Sequence, residues 1–207
     1  MLDNKIILIG YSGHGFVLVD IAIQNNCDIV GYTDRFPVNK NPFELIYLGN
    51  ENHESFKFWD KNFDYLIGIG DNLLREKIYK LVCKKNKKVR TLVCPSSNIS
   101  KNVIIGQGTF INKNVSINTN ASIGENVILN TRCIIEHECV ISNSAHVAPG
   151  AVLAGNVHIG ERSLIGANSV IKQGVRIGND VIVGAGSVIL RDVPNGCKIV
   201  GNPSRII

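Results

Sequence analysis

The sequence predicts a two-part chain, a small α/β domain followed by a parallel β-helix of hexapeptide repeats. Two observations carry this. From Ile99 to Ile189 every sixth residue is a branched aliphatic, sixteen successive positions without an insertion. No α-helix or simple amphipathic strand has that period; a chain winding into a prism with one buried aliphatic per repeat does. Ahead of the repeats, an apolar run enters a glycine turn and then a helical pattern, the start of a strand–helix–strand unit.

In chain order, KIILI at 5–9 reads as the first strand and enters Gly10-Tyr11-Ser12-Gly13-His14-Gly15. FVLVDIAIQNN follows as a helix and DIVGYTD as the second strand. YLIGIG at 65–70 is a third apolar run, and Leu73, Leu74, Ile78, Leu81 and Val82 give helical spacing from about Asn72 to Lys88. VRTLV at 89–93 reads as the next strand. These elements predict a Rossmann-like, mainly parallel domain over 1–95. Pro95 and the polar run Ser96-Ser97-Asn98 mark the boundary, the β-helix occupies 96–193, and 194–207 form a tail. Pro194 is expected to end the repeat, because proline cannot donate to the ladder.

Within each hexad the third position is the core aliphatic, the first is small or β-branched, and the last three collect Gly, Asn, Asp and Lys, residues suited to a tight corner. Three hexads make one triangular coil, so residues 18 apart stack at the ~4.8 Å sheet spacing. Sixteen hexads predict about five coils. Each buried Ile contributes roughly 1.5–3 kcal/mol of transfer free energy.

The net charge of +5 includes a run of Lys84, Lys85, Lys87, Lys88 and Arg90. It reads as a solvated helix end; with no aromatic residues interleaved, it does not suggest a nucleic-acid surface. Six cysteines show no Cys-x-x-Cys pair or zinc spacing. Cys133 and Cys139 share one hexad position and read as small packing residues. Free thiols, no signal-peptide pattern and no long apolar stretch lead us to expect a cytoplasmic protein without a membrane span.

The chemistry concentrates where the hexads turn unusual. A corner that should be Gly, Asn or Asp carries Glu136-His137-Glu138, and His146 lies nine residues on. Carboxylates beside an imidazole favour its charged form and fix its tautomer, which suits a general base. His137 plus 18 is Gly155, so the residue above the imidazole has no side chain. That predicts an open slot able to admit a cofactor arm. In the first domain, a glycine turn opening a helix offers N–H groups to phosphate. Its spacing is Gly-x-x-Gly-x-Gly, not the dinucleotide pattern. Asp34, ending the second strand, is placed to meet a ribose or base edge.

YSGHG at 11–15, IGIGDN at 67–72, ILNTRCIIEHECVI at 128–141, AHVAPGAVLAGNVHIG at 145–160 and the terminal GNPSRI carry a resemblance. Over nearly its whole length the chain resembles the left-handed β-helix sugar acetyltransferases, a group with the bacillosamine-pathway N-acetyltransferases and the sialic-acid O-acetyltransferase-like proteins. The left-handed sense of the β-helix is implied by this resemblance alone. It further implies acetyl-CoA as co-substrate, no metal, and a homotrimer with the acetyl-CoA groove between neighbouring prisms. By resemblance His137 is the general base and Glu138 the acid that raises its basicity. His146 contacts the thioester region and stabilises the oxyanion. Gly155, Ala167 and Ala185 meet the pantetheine arm through main-chain atoms, and Asn130 is a substrate contact. Ser12, Gly13 and His14 match the turn around the nucleotide diphosphate, and Asp34, Arg35 and Gly70 match other nucleotide-binding positions.

The expected activity is transfer of acetyl to the amine of a nucleotide-linked amino-deoxy sugar, a UDP-4-amino-4,6-dideoxy sugar first, in bacterial surface glycan (polysaccharide) biosynthesis. Alternatives are a dTDP- or GDP-linked amino sugar, O-acetylation of a sialic-acid-type sugar, and a non-catalytic NAD(H)-binding or scaffolding protein.

Overall fold

The computed structural model describes residues 5–207; residues 1–4 of the expected first domain lie outside the described residues. The chain divides into two compact units, Met1–Leu92 and Val93–Ile207.

In the first unit, β1 (Ile6–Ile9) lies between β2 (Ile29–Thr33) and β3 (Asp64–Ile67), parallel to both. All four residues of β1 are buried, as befits a parallel strand covered on both faces. Helix α1 (Gly13–Gln24) starts inside the glycine turn rather than after it. Helix α2 (Asn72–Lys84) is capped by Asp71, whose carboxylate accepts the Leu74 N–H at 2.8 Å. It stops four residues short of the expected Lys88, turning through Asn86 at φ 54°. The basic run thus sits at a helix end. The predicted strand over 89–93 is divided instead. Val89 makes only an isolated bridge to Tyr65, while Leu92–Val93 joins a sheet of the solenoid.

The second unit is a three-sided parallel β-solenoid of about six turns, consistent with a left-handed β-helix. Two-residue strands stack along each face with an 18-residue offset, as in Ile128↔His146↔Leu164 on the first face. The second face carries Ile134↔Val152, and the third Val140↔His158. The third-position aliphatics from Ile111 to Ile189 fill one continuous core, joined by fully buried Cys133 and Cys139. Every sixth position from Gly108 to Gly186 has positive φ. That is why Asn, Gly and Asp recur there: they tolerate the left-handed conformation.

The solenoid exceeds the expected five coils because strands flank the hexads. Pro194 does not end it. Lys198–Val200 continues the first face, but Ile182 pairs with Lys198 and Ile177 with Val193, an offset of 16. The last coil drops two residues, which places Pro194 outside the pairing strands.

Candidate functional site

The first unit holds a cleft of about 870 Å³ lined in part by Gly10, Ser12, Asp34, Arg35 and Gly70. Four predicted residues, Ser12, Asp34, Arg35 and Gly70, meet there; Gly13 and His14 do not line it. Ser12 caps α1 in extended conformation and makes no side-chain cap hydrogen bond. Gly15 is required by packing, since a Cβ there would sit 2.5 Å from the Gly10 carbonyl oxygen. Asp34 ties the turn to β2: its carboxylate accepts the Tyr11 N–H at 3.1 Å and the Arg35 N–H at 2.7 Å.

His14 is half-buried near Arg75. Desolvation, aided by the Arg75 charge, lowers its pKa to about 4, so the ring is neutral near pH 7. Arg75 is 2% exposed and donates to the Gly70 carbonyl at 3.0 Å, holding the loop after β3. Sequence reasoning missed Arg75, which looked like an ordinary polar helix position. It also missed Phe36, Glu51, His53 and Lys77 in the cleft wall. Phe36 is 77% exposed, and an aromatic directly after Asp34-Arg35 was the available signal.

On the solenoid, His137 lies at the edge between the second and third faces. Its Nδ1 is 3.1 Å from Glu138 Oε2, and Glu138 occupies a left-handed corner at φ 62°. Glu136 turns elsewhere and accepts from Asn118 Nδ2 at 2.7 Å on the preceding coil. The slot above the imidazole is not open. The ring lies over Gly155, where a Cβ would be 2.5 Å from both Cε1 and Nε2. The missing side chain makes room for the imidazole itself.

His146 begins a strand of the first face. Nine residues is half of an 18-residue coil, so His146 lies across the prism from His137. Asn130 Nδ2 lies 3.3 Å from His146 Nε2, and Asn112 Nδ2 donates to Asn130 Oδ1 at 2.8 Å. Gly155 stacks above His137. Ala167 and Ala185 follow first-face strands and stack on the other edge of the second face. The predicted residues therefore form two groups, His137, Glu138 and Gly155 on one edge, and Asn130, His146, Ala167 and Ala185 on and beside the first face.

Residues 5–82 match the family model "PglD N-terminal domain", 138–173 match "Bacterial transferase hexapeptide (six repeats)", and 156–191 match "Hexapeptide repeat of succinyl-transferase". The first unit is similar to the PglD N-terminal domain, and the second is similar to transferase hexapeptide repeats. The chain is similar to the acetyltransferase domain of PglB from Neisseria gonorrhoeae FA1090, with 28% identity and a TM-score of 0.90 over 99% of this chain and 100% of that one. That domain has also been solved in complex with acetyl coenzyme A. PerB from Caulobacter crescentus, solved with CoA and GDP-perosamine, is 27% identical with a TM-score of 0.90, covering 98% and 97%. WeeI from Acinetobacter baumannii AYE is 27% identical with a TM-score of 0.87, covering 98% and 99%.

Among the described residues no group of three or more His, Cys, Asp or Glu is placed to hold a metal, and no helix is long and apolar enough to cross a membrane.

Proposed function

We propose that this chain is an acetyl-CoA-dependent N-acetyltransferase acting on the amine of a nucleotide-linked amino-deoxy sugar. The observation that carries the reading is the His137–Glu138 pair on a solenoid matching, over nearly its full length, proteins solved with acetyl-CoA or with CoA and a nucleotide amino sugar. Glu138 accepts a hydrogen bond from Nδ1–H, which leaves the Nε2 lone pair as the base. Nε2 takes the proton from the sugar amine as that nitrogen attacks the thioester carbonyl of acetyl-CoA; the C–S bond then breaks, and the departing CoA sulfur takes that proton from Nε2 and leaves as the thiol. Ser12, Gly13, His14, Asp34, Arg35 and Gly70 are assigned to the nucleotide, with Gly13 and His14 acting through the turn's backbone.

The working form is a homotrimer. His137 with Gly155 and His146 with Ala167 and Ala185 flank the second face on its two sides, so neither chain alone brings them together. The outward positions of that face are apolar along a column of Ile134, Val152, Val170 and Val188. Packing this face about a three-fold axis sets one protomer's His137 edge beside a neighbour's His146 side. Cytoplasmic synthesis of a surface-glycan precursor fits this chemistry.

The test is release of CoA thiol with UDP-, dTDP- and GDP-linked 4-amino sugars, with free sialic acid as control. Turnover with one nucleotide amino sugar, abolished in His137→Ala while the fold persists, is expected. Turnover with sialic acid alone would replace N- by O-acetylation.

A further inference from the structure

We propose that Asn112 is a positioning residue that, through Asn130, fixes His146 as a neutral imidazole with its proton on Nδ1. The inference deepens the reading of His146 as an acetyl-CoA contact and rests on it for its catalytic meaning.

The argument runs along three stacked coils. Asn112, Asn130 and His146 follow or begin successive strands of the first face. In each asparagine the amide orientation is set by an unambiguous donor, the next residue's backbone N–H. Lys113 N donates to Asn112 Oδ1 at 2.7 Å, and Thr131 N to Asn130 Oδ1 at 2.8 Å. With its oxygen thus engaged, Asn112 presents Nδ2 to Asn130 Oδ1 at 2.8 Å. Asn130 in turn presents Nδ2 to His146 Nε2 at 3.3 Å. An amide NH₂ only donates, so Nε2 must accept, and an Nε2 that accepts carries no proton. The ring proton sits on Nδ1.

A chain of donors running one way along the solenoid thereby separates the two histidines chemically. At His137 a carboxylate accepts from Nδ1 and frees Nε2 as a base. At His146 an amide occupies the Nε2 lone pair and leaves Nδ1–H as a donor, the form that stabilises developing negative charge on a thioester carbonyl oxygen. Asn112 is 3% exposed, so its own part is positional.

The tautomer is read by nitrogen-15 NMR of histidine-labelled protein without substrate. Measured near pH 8, well above the ordinary histidine range, wild type is expected to show the His146 proton on Nδ1. A proton on Nε2, or a charged ring, overturns the proposal. In Asn112→Asp the donor to Asn130 is replaced by an acceptor. The Asn130 amide is then driven to turn, the Nε2–H form appears at His146, and kcat falls about tenfold, the weight of one net hydrogen bond, with the KM for the sugar little changed. An unaltered tautomer in a folded Asn112→Asp protein also overturns it. The wild-type measurement needs no variant to fold. Failure of acetyl transfer in the CoA-release assay would leave the tautomer result standing, so the two readings fail separately.

Discussion

The imidazole of His137 lies against the Cα of Gly155 one coil above, where a Cβ would stand 2.5 Å from two ring atoms. The clash in Gly155→Ala falls on a half-exposed side chain, which can swing away, so the fold should tolerate it. We expect an unfolding temperature within about 2 °C of wild type and turnover lower by about tenfold or more. Calorimetry beside the CoA-release assay separates the two effects.

Placement of His137 and His146 across one prism predicts complementation between inactive variants. His137→Ala and His146→Ala homotrimers should each be inactive. Refolded together at equal ratio, three-quarters of the trimers are mixed, each with one intact pairing in three, so about a quarter of wild-type turnover returns. No recovery from mixtures shown by mass spectrometry to have exchanged subunits would place both histidines in one chain's site.

The half-buried His14 makes stability depend on acid. Its folded pKa of about 4 lies below the ordinary 6.5, so between those values the unfolded chain binds the extra proton. Its contribution is complete above pH 6.5 and is lost as pH falls toward 4. The loss is on the order of 2–3 kcal/mol. Urea unfolding from pH 7 to 4.5 should show a slope that flattens in His14→Gln.

Glu138 holds a left-handed corner that a side chain occupies at a cost. Replacement by glycine should relieve that strain and raise stability by up to about 1 kcal/mol. The same change removes the carboxylate from His137 Nδ1, so turnover should fall about tenfold. A thermal-shift measurement in which Glu138→Gly is clearly less stable than wild type would contradict the strain argument.

The repeat was legible because its period is a packing rule: Ile111, Ile117 and Ile123 must point inward, and nothing else gives six. The His137–Glu138 pairing was legible because two adjacent charged residues are out of place at a corner. The ends were less so. Pro194 looked terminal, yet the coil absorbs it by losing two residues, an adjustment that shows only in the pairing of Ile182 with Lys198. The strand expected at 89–93 was split because Leu92 and Val93 hydrogen-bond into the solenoid, a choice that depends on partners far along the chain. Arg75 was invisible for the opposite reason. Its neighbours Ile69 and Gly70 offer carbonyls only after β3 and α2 have folded.

The left-handed residue that closes every hexad from Gly108 to Gly186 has a consequence for how such a chain can change length. One inserted residue would move each later aliphatic off the core and each later bend off its edge. Three inserted hexads would restore every strand to its own face, and a single hexad would restore the core but rotate all that follows onto the wrong side. Within these hexads the solenoid can therefore lengthen or shorten safely only by whole turns, and between His137 and Gly155 not even then, because a whole turn inserted there would part His137 from the glycine that receives it.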